Sequence, residues 1–165
     1  MKINDDHMYH GAALTQIAEH PQFTAINSFH KGAQKSRSAF RVNDDVGIYL
    51  KYARKANPAY GEYFFTFSEA NLEEIEALSQ KTDKIYIILV CVQAKEICCI
   101  RRKELQRLVD LRKRARGYDE PTFAVLVTCA SGKRFRVYAN VPGERKKTLG
   151  KMVVARNRFP DAVFR

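Results

Sequence analysis

The stretch that most restricts the fold of this 165-residue chain is residues 84 to 92. The run from Ile85 to Val92 is apolar at both alternating sets of positions rather than at every second residue. Successive side chains of a strand point to opposite faces, so a strand of this composition is buried on both sides. The pattern therefore predicts an α/β (α+β) fold in which a mixed central sheet is flanked by helices.

The length and composition indicate one globular domain, residues 1–165. Hydrophobic residues make up 45% of the chain, which excludes a disordered protein and allows a sizeable core. The longest apolar run is far shorter than the roughly 20 residues that cross a bilayer. The amino terminus lacks the basic-then-apolar pattern of a secretory signal. We therefore expect a cytoplasmic protein with no membrane partner.

Periodicity and turn signals divide the chain into alternating elements. Helices are expected at residues 11–20, 69–80 and 102–114. Strands are expected at residues 23–29, 38–42, 46–53, 62–67, 84–92, 97–100, 122–129 and 134–139. The small, polar and basic residues 30–37 indicate an exposed loop, and the four histidines, all within the first thirty residues, are expected at the surface.

The four cysteines indicate buried, reduced thiols. Each lies in an apolar, strand-like run. Cys98 and Cys99 are adjacent, so on a strand their side chains point to opposite faces and cannot bind one metal ion together. We assign the cysteines no chemistry.

A hairpin around Asn43, Asp44 and Asp45 contains the residues that most suggest chemistry. Asn and Asp tolerate the backbone angles of a turn, and the flanking residues are β-branched or aromatic. Lys51 points away from the aliphatic row of the returning strand, which consists of Val46, Ile48, Leu50 and Tyr52. A lysine facing away from the core, shortly after two aspartates, is typical of metal-dependent phosphodiester chemistry.

The order of elements over roughly residues 10–116 resembles the restriction-endonuclease-like fold of the PD-(D/E)XK nuclease superfamily. Lys51 matches the strand lysine of that superfamily, which helps to position or activate the attacking water. The resemblance implies a Mg²⁺-dependent nuclease in which Asp44 or Asp45, together with Glu19, holds the metal. Tyr49 stands where the superfamily has an acid, two residues before the lysine. The resemblance therefore implies a catalytically degenerate centre.

The net charge of +11 favours an anionic partner. We expect nucleic acid, DNA in preference to RNA, with Tyr49 and Tyr138 stacking on bases. The predicted nucleic-acid contacts are Lys31, Lys35, Arg37, Arg54, Arg101, Arg102, Arg134, Arg136, Arg145, Lys146 and Lys147. The seven from Arg101 to Lys147 are expected to line one side of the sheet. The alternative is a non-enzymatic accessory module whose basic faces bind an acidic protein.

Overall fold

Two β-sheets and three α-helices make up the computed structural model, which describes residues 1–165. The helices are α1 (Asp5–Ala18), α2 (Glu69–Ser79) and α3 (Arg102–Arg116), and a short 3-10 helix follows at Asp161–Phe164. The strands are β1 (Ile26–Lys31), β2 (Gln34–Val42), β3 (Val46–Ala53), β4 (Glu62–Ser68), β5 (Lys84–Cys91), β6 (Glu96–Arg101), β7 (Thr122–Thr128), β8 (Phe135–Val141) and β9 (Glu144–Val154). The predicted α+β class is confirmed. No helix is long and apolar enough to span a bilayer.

Sheet A is the mixed sheet, with strand order β1-β2-β3-β5-β6. Its only parallel pair is β3 and β5, and the chain between them forms β4 and then α2. The other face packs on α1 and the C-terminal 3-10 helix in a cluster that we call the α1 core, with Ile17, Ile48 and Ile88 among its members. Because both faces of β5 are buried, its sequence lacks alternation, as predicted.

Sheet B is antiparallel throughout, with strand order β4-β7-β8-β9. Its inner face joins α2, α3 and sheet A in a cluster of 23 buried residues that we call the inter-sheet core, with Phe65, Val125 and Val137 among its members. Its outer face belongs to neither core and carries the exposed residues Phe64, Lys151 and Val153. Sheet B therefore offers one side to solvent.

The cysteines of β6 divide between the two cores. Cys98 lies in the inter-sheet core and Cys99 in the α1 core. Burial raises the pKa of both thiols, that of Cys99 to about 12. They are buried thiols on opposite faces of one strand, as the sequence predicts.

The first helix and the segment after it differ from the prediction. α1 begins at Asp5 rather than at residue 11, because the Asn4 side chain caps it and accepts a hydrogen bond from the backbone N–H of His7 at 2.9 Å. Residues 30–37 are not an exposed loop, since β1 and β2 pair across a turn at Gly32, where φ is +62°. His10 is buried rather than at the surface.

Helix α2 lies close against β3. Ser68 caps it, accepting a hydrogen bond from the backbone N–H of Asn71 at 3.1 Å. Its last turn presses Leu78 onto Gly47, where an added Cβ would lie 2.9 Å from Leu78 Cγ and Cδ2 and 2.8 Å from Thr82 Oγ1. The missing side chain at position 47 therefore sets the distance between the helix and the strand.

Candidate nucleic-acid interface

Lys51 lies on β3 beneath the first turn of α2. It points away from the aliphatic row, as predicted, but that second face is also covered, here by the inter-sheet core. Its Nζ donates to Asn71 Oδ1 at 2.9 Å and lies 5.4 Å from the ring centre of Phe67. Burial lowers the pKa of Lys51, while the carboxylates of Glu74 and Asp6 raise it. The expectation of a lysine facing away from the core is thereby corrected.

Tyr49 belongs to a polar group around Glu74. The carboxylate of Glu74 accepts hydrogen bonds from Ser36 Oγ and, at 3.4 Å, from the Tyr49 hydroxyl. Burial, followed by the charge of Glu74, raises the pKa of Tyr49, so the phenol stays a donor. The Tyr49 side chain is only 1% exposed, and it is therefore not available to stack on a base as predicted.

The predicted metal ligands lie at the opposite end of β3 from Lys51. Lys51 is six positions after Asp45, which at the rise of a strand is about 20 Å. Glu19 caps the C-terminal end of α1, while an ion pair joins the first turn of α1 to the residue after β3. Glu19 therefore lies near the turn that contains Asp44, and not near Lys51. The residues present do not fit the predicted Mg²⁺ centre.

The Asn-Asp-Asp segment has a structural role. Asn43 Oδ1 accepts hydrogen bonds from the backbone N–H of Thr24 at 2.7 Å and of Ala25 at 3.2 Å. Asn43 and Asp44 have φ values of +52° and +63°, which these residue types tolerate better than most. No group of three or more His, Cys, Asp or Glu side chains is arranged to hold a metal ion.

Four predicted nucleic-acid contacts surround the end of sheet A where β2 begins. Two of them are in ion pairs: Lys31 with Glu73 at 3.4 Å, and Arg54 with a carboxylate of α1. Lys35 and Arg37 are exposed and have no carboxylate within ion-pair distance. These four residues lie on or directly beside strands of sheet A, whereas the predicted contacts from Arg134 to Lys147 lie on or directly beside strands of sheet B.

Arg101 and Arg102 do not continue the basic surface of sheet B. Arg101 is the exposed last residue of β6, and Arg102 opens α3 and pairs with Glu76. Arg101 therefore belongs to sheet A, and Arg102 lies on a helix that packs between the two sheets, away from the outer face of sheet B. The expectation that they and the later basic residues line one side of a single sheet is corrected, because the chain forms two sheets.

The last 45 residues of the chain hold most of the excess positive charge, and part of it lies on the outer face of sheet B. Residues 121–165 contain ten Lys and Arg but only two Asp and Glu. Alternation along β8 directs Phe135 and Val137 into the inter-sheet core, so Arg136 and Tyr138 belong to the outer face. Lys151 lies beside them, with its Nζ 5.7 Å from the ring centre of Tyr138. Arg134 is exposed just before β8 begins.

Three residues of β9, Arg145–Lys147, bulge out of the ladder with β8. Asn140 pairs with Thr148 and Val141 pairs with Glu144, so one step along β8 spans four along β9. The Asn140 side chain holds this bulge, donating to the Arg145 carbonyl at 3.1 Å and accepting from Arg145 Nη1 at 3.0 Å. Within the bulge, Lys147 pairs with Glu144 at 3.1 Å, whereas Lys146 is exposed and has no carboxylate partner.

Arg145 fixes the bulge against the outer face. Its Nη2 lies 2.6 Å from Glu62 Oε1, and Glu62, only 4% exposed, also accepts a hydrogen bond from the Tyr138 hydroxyl. Burial and then this hydrogen bond raise the pKa of Tyr138. Arg145 is therefore engaged within the protein, and the buried Tyr138 is not available to stack on a base as predicted.

Two exposed aromatic rings, of Tyr60 and Phe64, were not among the predicted contacts. They are 45% and 40% exposed, and the Arg145 guanidinium lies 4.7 Å and 4.9 Å from their ring centres. Alternation could have identified Phe64, because Phe65 faces the core and its neighbour must face outward. The outer face thus combines exposed aromatic rings with cations. Comparison of the chain with protein-family models, with curated proteins and with solved structures gave no match.

Proposed function

We propose that the protein binds single-stranded nucleic acid, DNA in the first place, through the outer face of sheet B and the adjoining Arg145–Lys147 bulge. The observation that best supports this proposal is the exposed Phe64 ring on a sheet face bordered by cations that lack carboxylate partners. These cations are Arg134, Arg136, Lys146 and Lys151.

The two kinds of side chain serve different parts of the ligand. Lys and Arg attract phosphates and release counterions from them, whatever the base sequence. Aromatic rings on an open sheet stack on bases, which a single strand exposes and a duplex largely hides. Phe64 and Tyr60 beside these cations therefore favour a single strand over a duplex.

The proposal is one of binding without cleavage. Lys51, the residue that resembles a nuclease lysine, belongs to sheet A, where Glu74 and Asp6 are the acids that affect its pKa. Asp44, Asp45 and Glu19 lie at the other end of β3. This arrangement supports the expectation of a degenerate nuclease centre, and a Mg²⁺ or Mn²⁺ incubation of labelled oligonucleotide tests it directly.

Fluorescence anisotropy with a labelled oligothymidylate tests the proposal. The oligonucleotide has about 20 nucleotides, because single binding modules cover roughly 4–16. Four phosphate contacts predict a slope of log affinity against log salt of about −3. The variant Arg134→Gln/Lys146→Gln/Lys151→Gln should reduce the slope to about −1. A matched control removes the same net charge elsewhere, from exposed lysines without carboxylate partners, as Lys55→Gln/Lys81→Gln/Lys103→Gln. The control should leave the slope unchanged.

A second variant separates stacking from charge. Phe64→Leu should weaken binding by about five- to 150-fold, the loss of roughly 1–3 kcal/mol of stacking on one base, without changing the salt slope. Equal effects of the two triple variants would contradict the proposed surface. If single-stranded DNA, duplex DNA and RNA all fail to bind, the result contradicts the proposal and favours the alternative that the basic faces bind an acidic protein.

A further inference from the structure

We propose that a groove between α1 and β2, on the other sheet from the nucleic-acid surface, binds a phosphorylated sugar, either free or as part of a nucleotide. The groove has a volume of about 670 Å³, within the range of roughly 300–1,000 Å³ typical of small-molecule sites. Its walls are mainly polar, and the residues that carry the argument are Asp6, His10, Ser28, Lys35 and Arg37.

The groove exists because β2 parts from β3. The two strands pair from Val42–Val46 as far as Ala39–Tyr49. β2 continues towards its start at Gln34 with β1 as its only partner, so the β2–β3 pair opens into a fork. The β2 arm lines the groove with Lys35, Ser36 and Arg37, and α1 contributes Asp6 and His10 to its walls.

His10 gives the groove a buried hydrogen-bond acceptor that lacks a donor. Its side chain is 5% exposed and lines the groove, and its Nδ1 has no hydrogen-bond partner. Burial lowers the pKa of His10, although Asp6 and a hydrogen bond to the Arg37 backbone act in the opposite direction. When the neutral ring carries its proton on Nε2, Nδ1 offers a lone pair. A buried acceptor without a donor is costly, and a ligand hydroxyl would satisfy it.

Two cations border the groove on the arm of β2. Lys35 and Arg37 both line the groove, in an irregular part of β2 where the ladder with β1 steps from Phe40–Ser28 to Lys35–His30, and both are exposed without carboxylate partners. A guanidinium matches the oxygens of a phosphate with two parallel hydrogen bonds. The carboxylate of Asp6 and the hydroxyl of Ser28, on the same walls, suit sugar hydroxyls. Phosphate at the cations and hydroxyls near His10 together define the ligand class.

Calorimetric titration with ribose 5-phosphate, adenosine monophosphate and unphosphorylated ribose tests this inference. We expect at least one phosphorylated ligand to bind, with ribose at least about tenfold weaker. Binding of ribose 5-phosphate alone would identify a free sugar phosphate, and binding of adenosine monophosphate would identify a nucleotide. Both results support the groove as the site of this ligand class if the variants below respond as stated.

The exposed Arg37 provides the decisive variant. Arg37→Gln should weaken the phosphorylated ligand about tenfold or more, whereas Arg134→Gln, a matched change on sheet B, should leave its affinity unchanged. Nitrogen NMR of the imidazoles should show the Nδ1 signal of His10 shifting when the ligand binds. The variants His7→Gln, His20→Gln and His30→Gln identify the signals of the other three histidines and so assign that of His10. No binding at millimolar concentrations, equal weakening by both arginine variants, or an unmoved His10 signal would overturn the inference. None of these outcomes depends on nucleic-acid binding.

Discussion

Gly47 offers the sharpest test of how α2 is held against β3. A Cβ at this position would approach Leu78 to 2.9 Å and Thr82 Oγ1 to 2.8 Å, whereas carbon atoms in ordinary contact lie about 3.5–4.0 Å apart. Leu78 and Thr82 are both buried, so relieving the overlap requires a strained side-chain conformation or a shift of the helix or the strand. We expect Gly47→Ala to lower the free energy of unfolding by about 1–3 kcal/mol. At this chain length that corresponds to a fall in Tm of about 2–12 °C.

Thermal and urea unfolding followed by circular dichroism measure this effect. Gly11→Ala is the matched control, because position 11 lies inside α1 and has nothing within 4 Å of an added Cβ. It should raise the free energy of unfolding by up to about 1 kcal/mol through helix propensity. The same substitution is thus expected to have opposite signs at the two sites.

A double-mutant cycle identifies the contact responsible. In the Gly47→Ala background, Leu78→Ala should cost less than it does in the wild-type protein, with a coupling of at least about 0.5 kcal/mol. The reasoning would be refuted if Gly47→Ala left Tm unchanged, or if its cost were the same whether or not Leu78 is present.

Three further substitutions test other parts of the structure. Ser68→Ala removes the cap of α2 and should lower the free energy of unfolding by about 0.5–2 kcal/mol, measured by urea titration. Tyr138→Phe removes a buried donor to Glu62 and should cost about 1–3 kcal/mol in the same assay, more than a Tyr→Phe change at the exposed Tyr60. The pKa of His10 in the folded state lies below the unfolded value of 6.5, so the unfolded chain binds more protons as the pH falls. The contribution of His10 to the free energy of unfolding is therefore present above pH 6.5 and is lost as the pH falls below it. His10→Gln should therefore flatten the fall of the urea midpoint below pH 6.5.

Much of sheet A could be predicted because its signals are local. Burial on both faces determines the composition of β5, and the turn residues after Val42 determine where β3 begins. Sheet B was harder, since β4 and β7 pair across a long stretch of chain and no local pattern names the partner. β9 escaped prediction because two bulges, one at Arg145–Lys147 and one near Gly150, interrupt its alternation.

The candidate sites show the same division. Strand alternation correctly directed Lys51 away from the aliphatic row, but the cover over its second face depends on where α2 packs, which is a tertiary property. The separation of Asp45 from Lys51 could have been foreseen, since six residues of strand span about 20 Å. The groove beside His10 could not, because the sequence does not show where β2 parts from β3.

Labelling of the adjacent thiols of β6, Cys98 and Cys99, can report partial unfolding of the protein. Cys98 lies in the inter-sheet core and Cys99 in the α1 core, so a labelling reagent reaches each thiol when the elements that form its own core separate. Both are protonated when buried, so each reacts in the open state alone. The ratio of two alkylation rates, measured one peptide bond apart, therefore tells which layer of the molecule opens first.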